Sequence, residues 1–92
     1  MRKEQLKGKG VIDAEAAFLG YVEDVEFEIT EWKATHIGVK LVDAAIESLG
    51  FKKPRLGSIV INVPVSTVKA VKDVISLDRS VKDLKNVVER RT

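Results

Sequence analysis

Few residues of this chain have the types and spacing that catalysis or ligand binding requires. His36 is the single histidine, and its place among alternating apolar residues predicts the outward phase of a strand, where a histidine is ordinarily a surface residue. The segment GKG, residues 8–10, is too short to cradle phosphates, and no lysine-serine or lysine-threonine pair follows it. No recognisable motif positions a base beside Ser58, Ser66 or Ser80.

Carboxylates are concentrated in residues 13–32, which hold seven acidic residues and no basic residue. Four of them lie close together in the chain, namely Glu23, Asp24, Glu26 and Glu28. Alternate residues of a strand project in parallel, so these side chains are not expected to converge on one calcium or magnesium ion. The absence of cysteine removes thiol nucleophiles, disulfides and cysteine-ligated zinc. The sequence therefore predicts a protein that is not an enzyme and that uses no cofactor or metal.

Composition predicts one small folded domain over residues 1–92, with residues 1–7 as a polar lead. A hydrophobic content of 45% beside a charged content of 33% excludes a disordered or collagen-like chain, although so short a chain has a thin core. No apolar run has the length of a membrane span, and Met1–Glu4 lacks the apolar core of a signal peptide. We therefore expect a cytoplasmic protein without membrane insertion. Low Asn, Gln, Cys and Met content suggests a heat-adapted source.

The net charge of +2 conceals an asymmetry along the chain. Residues 1–46 carry six basic and nine acidic side chains, whereas residues 47–92 carry ten basic and five acidic ones. An acidic face repels a phosphate backbone, and the basic cluster of Lys52, Lys53 and Arg55 is too small to indicate dedicated nucleic-acid binding. We therefore do not expect a nucleic-acid partner. A simple solvated surface is the alternative interpretation of both charge clusters.

The first half of the chain has the alternation of β-strands. After a short strand at Val11 and a turn, Val25, Phe27 and Ile29 alternate with acidic residues, which predicts a strand with one wet face. Val22 is out of step with that series, and we expect a β-bulge or bend at Glu23–Asp24. A second alternating set follows from residue 35 to residue 41.

A short helix is predicted from Asp43 to Gly50. Asp43 is expected to cap its N-terminus, and Gly50 to adopt the left-handed conformation that ends a helix. Phe51 should then fold back on Ile46.

The second half returns to strands over residues 58–78, interrupted by Pro64. Ser80 and Asp83 resemble a capping box at the start of a terminal helix over residues 80–91. That helix should close one end of the domain.

Two pieces of the sequence carry a resemblance to a known family: GKGVIDAEAAFLGYVEDVEFEI and INVPVSTVKAVKDVISLDRSVKDL. They resemble the two signature halves of the PRC-barrel family, and the loop LGFKKPRLGS resembles the stand-alone archaeal members. The resemblance implies a six-stranded β-barrel used for binding, similar in fold to the cytoplasmic domain of the photosynthetic reaction-centre H subunit and to the C-terminal domain of the ribosome maturation factor RimM. It also implies an adaptor that self-associates, since the stand-alone archaeal members resemble adaptor proteins and some of them are linked to the cell-division machinery.

The chain departs from the family pattern at two turns. Ala16 or Ala17 stands where the first turn usually has glycine, and Trp32 stands where the second hairpin often has it. Both substitutions put apolar bulk at loop tips.

We therefore expect an all-β fold with short helices: a small six-stranded PRC-type barrel with a mid-chain helix and a C-terminal helix. The alternative is an open α+β sheet with the terminal helix across one face. The predicted core consists of Val11, Val25, Phe27, Ile37, Val39, Ile59, Ile61, Val74 and Leu77.

Two functions remain open at this point. The thin core, the aromatic tips and the resemblance favour a protein–protein adaptor that is also a homodimer. The basic second half and the likeness to RimM favour an RNA- or ribosome-associated module.

The candidate partner-binding residues are three aromatic side chains and an acidic rim: Phe18, Tyr21, Trp32, Glu15, Glu28 and Glu31. In one interpretation the rings fold back to seal the barrel ends. In the other, Phe18 and Trp32 converge on one side of the barrel as a binding hot spot, and the acidic rim selects a partner with a basic face.

Overall fold

The computed structural model describes residues 6–52 and 57–91 of the chain. Its elements are, in order, β1 (Gly10–Ile12), β2 (Phe18–Glu28), β3 (Lys33–Leu41), α1 (Asp43–Ser48), β4 (Val60–Pro64), a 3₁₀ turn (Val65–Thr67), β5 (Val68–Val71), β6 (Val74–Leu77), α2 (Val81–Leu84) and β7 (Glu89–Arg91). The predicted β-rich fold with short helices is confirmed.

All seven of these strands belong to one sheet, in the order β5-β6-β1-β2-β3-β4-β7. Strands β1 and β6 run parallel, and the other neighbours are antiparallel. Ile37 of β3 lines the same cavity as Val68 and Val71 of β5, although these strands are not neighbours in the sheet. The sheet is therefore curled. The described residues thus form seven strands where six were predicted, and β5 and β7 are the two ends of their ladder.

Strand β2 contains the predicted bulge and a second irregularity that was not predicted. The register with β3 shifts between Val22 and Asp24, as expected, and shifts again between Glu26 and Phe27. At this second shift the extra residue is Thr35 of β3, so the shift does not turn Phe27 of β2 to the opposite face. Phe27 instead lies beyond the ends of β1 and β4 and is 44% exposed, and its assignment to the core was wrong.

The core fills the concave side of the sheet and takes in residues from both helices. Its buried apolar members are Val11, Leu19, Val22, Val25, Ile37, Val39, Leu41, Ala45, Ile46, Leu49, Ile59, Ile61, Val63, Ile75, Leu77 and Leu84. In β6 the buried phase belongs to Ile75 and Leu77, so Val74 faces outward and is 37% exposed, contrary to prediction.

Helix α1 ends as the sequence predicts. Gly50 has φ = 79°, the Gly50 amide donates to the Glu47 carbonyl, and the Phe51 amide donates to the Ile46 carbonyl. These two bonds form a Schellman motif, and Phe51 packs on the core. The N-terminus differs, because Val42 occupies the N-cap position and Asp43 is the first helical residue.

The predicted terminal helix over residues 80–91 is wrong beyond its first turn. Helix α2 has four residues, and the Ser80 side chain does not cap it. The carboxylate of Asp13 instead accepts a hydrogen bond from the Val81 amide, at 2.9 Å. The chain then extends into β7, which pairs antiparallel with β4. The Arg91 guanidinium donates hydrogen bonds to Asn62 and Asp24, in distant parts of the sheet, and these bonds hold the chain as a strand here and not as a helix.

Residues 1–5 of the predicted polar lead lie outside the described residues, as do Lys53 and Arg55 of the predicted basic cluster. In the part of the chain that is described, no helix has the length and apolar character needed to cross a membrane.

Candidate functional site

A two-stranded arm projects from the sheet where its neighbours end. On one side of β2, β1 pairs with Phe18 to Tyr21, and on the far side of β3 the ladder with β4 begins at His36. Within the described residues, the hairpin over residues 26–35 is therefore paired only with itself. We call residues 26–35 the arm.

The arm presents apolar side chains to solvent. Ile29 and Trp32 are 75% and 77% exposed at its tip, and Phe27 is half exposed on its shaft. The arm contains three acidic residues, Glu26, Glu28 and Glu31, and one lysine, Lys33, so its own charge is acidic. An exposed apolar cluster with a charged surround is the composition of a protein interaction site.

The loop at the tip of the arm is organised by Glu28. Its carboxylate accepts hydrogen bonds from the backbone amides of Thr30 (3.0 Å) and Glu31 (2.7 Å). These bonds stabilise the ionised form and lower the pKa of Glu28. Glu31 lies 3.4 Å from the Lys33 ammonium. The two predicted rim carboxylates of this end are thus engaged with the arm itself.

Trp32 completes the loop in a backbone conformation that is unusual for its type. Its φ is 54°, in the left-handed region, where an L-residue is less stable than glycine by about 1–2 kcal/mol. The tip keeps the glycine-like turn even though tryptophan stands at the position. Ala16, in the turn before β2, also has a left-handed backbone conformation, with φ = 65°.

Asp13 supports the turn that contains Ala16. Its carboxylate is 4% exposed and accepts the backbone amides of Glu15 (2.9 Å), Ala17 (2.7 Å) and Val81 (2.9 Å). These three bonds join the first turn to the start of α2. Asp13 is therefore a structural carboxylate whose oxygens are occupied by backbone donors.

The remaining predicted aromatic residues form a separate pair. The rings of Phe18 and Tyr21 meet edge to face with their centroids 5.2 Å apart, and Gly10 leaves room for the Phe18 ring because a Cβ there would lie 2.9 Å from it. Val74 borders the same spot. Both rings are partly exposed, at 41% and 51%, so neither is sealed into the core.

The predicted convergence of Phe18 and Trp32 does not occur. Phe18 begins β2 and Trp32 lies in the turn after it, and the eleven residues of β2 span at most about 33 Å at roughly 3.3 Å per residue. Glu15 lies in the turn before Phe18, whereas Glu28 and Glu31 lie close to Trp32 in the chain. The strand predicted between the two rings already implies this separation, which the convergence hypothesis did not take into account.

A polar cluster fixes the base of the arm to the C-terminal strand. The Arg91 guanidinium donates to both Asp24 carboxylate oxygens (2.7 and 3.0 Å) and to the Asn62 side-chain oxygen (2.6 and 3.2 Å). Hydrogen bonding to Asp24 raises the pKa of Arg91. Gly38 lies beneath this pair, and an added Cβ would overlap both charged groups. Sequence reasoning missed the cluster because its members are up to 67 positions apart.

The chemistry available elsewhere is limited. His36 is half exposed, with Nδ1 3.1 Å from the Thr35 hydroxyl and 3.8 Å from a Glu26 carboxylate oxygen. Among residues 6–52 and 57–91, no group of three or more His, Cys, Asp or Glu side chains is arranged to hold a metal ion.

One apolar cavity of about 250 Å³ opens beside the base of the arm. Its walls are Leu6, Ile37, Val65, Val68, Val71 and Ile75. Ile37 pairs with Val25, one step from where the arm begins. Comparison of the chain with protein-family models and with curated proteins finds no match.

Proposed function

We propose that this protein is a non-catalytic protein-interaction module that binds a partner with a basic face through its arm. The observation that carries the proposal is Trp32: a large ring, 77% exposed, in a left-handed backbone conformation that glycine would adopt at lower free energy. Stability of the isolated fold does not explain a tryptophan there. Strained residues that persist at exposed tips are frequent in binding surfaces.

The charge and pairing of the arm support this function. Tryptophan is enriched among residues that dominate binding free energies, and an acidic surround favours a basic partner by electrostatic complementarity. The edge of β2 after Val22 and the edge of β3 before His36 are not covered by β1 or β4. Their backbone groups can therefore pair with a strand of a partner.

The curled sheet and the two signature-like pieces of sequence support a PRC-barrel-type architecture for this module. An adaptor of the archaeal cell-division machinery is the setting that the same resemblance favours. Membership of that family would account for a fold that presents surfaces rather than a reaction centre.

The test is an affinity capture from the source organism with three baits: wild type, Trp32→Ala and Tyr21→Ala. Tyr21 is also an exposed aromatic residue, but it lies outside the arm, so it controls for loss of a ring in general. A specific partner should be retained by Tyr21→Ala and lost by Trp32→Ala. With the purified partner, Trp32→Ala should weaken binding by about 2 kcal/mol or more.

The competing function is RNA binding, and a salt titration separates the two. A module that neutralises phosphates should bind RNA with an affinity that falls steeply as salt rises. We expect no RNA binding at physiological salt. Salt-dependent RNA binding together with a partner unaffected by Trp32→Ala would refute the proposed function.

A further inference from the structure

The apolar cavity beside the arm has the size and lining of a site for a side chain. Its volume of about 250 Å³ is below the roughly 300–1,000 Å³ of pockets for small molecules. All six residues that line it are aliphatic. A cofactor or metabolite site ordinarily adds a few convergent polar groups, and aliphatic walls select an apolar occupant instead.

The volume matches one indole ring. An engineered apolar cavity of about 150 Å³ holds benzene, so the nine ring atoms of indole scale to about 225 Å³. Trp32 is the single tryptophan of the chain and is the most exposed of its large apolar side chains in the described residues. Among the residues that the structure describes, each molecule thus presents an open apolar cavity and an exposed ring of the corresponding size.

We propose that two copies of this chain exchange arms, so that Trp32 of each copy enters the cavity of the other. The proposal rests on the proposed function of the arm and names a second copy as one partner of it. Ile37, a cavity wall, lies at the base of the arm that carries Trp32. The cavity thus adjoins the base of the arm and Trp32 lies at its tip, so two arms placed antiparallel about a two-fold axis would bring each ring to the cavity of the other copy.

Charges beside the cavity complement those of the arm. Lys69 on β5 and Lys72 in the turn after it are exposed, and the Lys9 ammonium lies against that turn, 2.6 Å from the Lys72 carbonyl oxygen, so these three cations outnumber the one acidic residue of the turn, Asp73. The arm brings Glu28 and Glu31, which also bond within the arm, and Glu26, which lies 3.5 Å from Arg91. The basic face that the proposed function requires of a partner is thus present on the chain itself.

Tryptophan emission tests the exchange directly, since the signal comes from Trp32 alone. As wild-type concentration rises from about 1 to 100 µM, the emission should shift to the blue and the mass by light scattering should rise from 10.2 kDa toward twice that value. Tyr21→Ala should behave as wild type. Trp32→Ala should associate at least about 30-fold more weakly.

Complementation tests whether the contacts are reciprocal. Trp32→Ala retains the cavity without the ring, whereas Val68→Phe retains the ring and fills the cavity; Val65→Phe replaces the second variant if it does not fold. Each variant alone should remain a monomer. An equimolar mixture regains one of the two contacts and should form a heterodimer, with a blue shift from the ring of the Val68→Phe copy.

The exchange is overturned if wild type stays at 10.2 kDa with constant emission over this range, or if Trp32→Ala dimerises as strongly as wild type. It is also overturned if two folded variants associate no better mixed than alone. These failures are distinguishable from failure of the proposed function. If wild type stays monomeric but Trp32→Ala loses a different protein partner, the arm is still the binding surface and only the self-association is refuted.

Discussion

Glycine at position 32 should give a more stable protein than alanine at the same position. Trp32 has φ = 54°, where a residue with a Cβ costs about 1–2 kcal/mol relative to glycine. Glycine also loses more conformational entropy on folding than alanine, which reduces this advantage of glycine by about 0.5–1 kcal/mol. The free energy of unfolding of Trp32→Gly should therefore exceed that of Trp32→Ala by about 0.5–1 kcal/mol.

The comparison with wild type requires the contribution of the ring. About a quarter of Trp32 is covered, since it is 77% exposed. A quarter of roughly 200 Å² is about 50 Å², which at about 25 cal/mol/Å² is close to 1 kcal/mol. Trp32→Ala should lose about that much, and Trp32→Gly should lie near wild type. Both variants should lose partner binding, so stability and binding separate.

The assay is thermal and urea denaturation followed by far-UV circular dichroism at a concentration where wild type is monomeric. A difference of 0.5–1 kcal/mol corresponds to about 2–8 °C in Tm for a domain of this size. The matched control is the pair Lys33→Gly and Lys33→Ala, because Lys33 is exposed, adjacent and without a positive φ. There, glycine should be the less stable variant. If glycine is also the less stable variant at position 32, the conformational strain and the inference built on it are wrong.

Three further predictions concern the sheet and the arm. Phe27→Ala should lower the free energy of unfolding by only about 1–1.5 kcal/mol because Phe27 is 44% exposed, whereas Leu19→Ala, at a fully buried site, should lower it by about 2–5 kcal/mol. Equal losses in urea denaturation would show that Phe27 belongs to the core. Gly38→Ala and Arg91→Ala should each cost about 1–2 kcal/mol by breaking the same partly exposed ion pair, and a double variant whose losses add in full would show that they act separately. The pKa of Glu28 is lowered in the folded arm, so the ionised carboxylate should stabilise the arm fully above the ordinary value of 4.5, and this stabilisation should be lost as pH falls through the lowered pKa. The emission of the single tryptophan should follow this transition in wild type and not in Glu28→Gln.

Local pattern was sufficient for the elements whose partners are near in sequence. The end of α1 follows from Gly50 and Phe51, because a Schellman motif uses only residues of the last turn. The bulge after Val22 follows from a break in alternation within one strand. Both features depend on fewer than ten consecutive residues.

The errors arose where distant residues decide the structure. Alternation around Phe27 shows that the two faces of the strand differ, but not that either face is covered, and β1 and β4 end before they reach it. The spacing of Val81, Leu84 and Val87 suits a helix, yet the chain turns to bring Arg91 against Asp24. Such contacts across more than 60 positions leave no periodic signal in a single sequence.

Ala16 and Trp32 both have left-handed backbone conformations, but the interactions that offset their backbone strain differ. Ala16 lies in a turn whose amides are bound by the buried carboxylate of Asp13, which also holds the start of α2, so the strained turn contributes to the core structure. Trp32 lies in a turn bound by the exposed carboxylate of Glu28, and most of its ring contacts solvent. The strain at Ala16 is offset within the molecule. At Trp32 the covered quarter of the ring only roughly balances the strain, and binding of the exposed three quarters by another molecule would add stabilisation that the isolated fold does not supply.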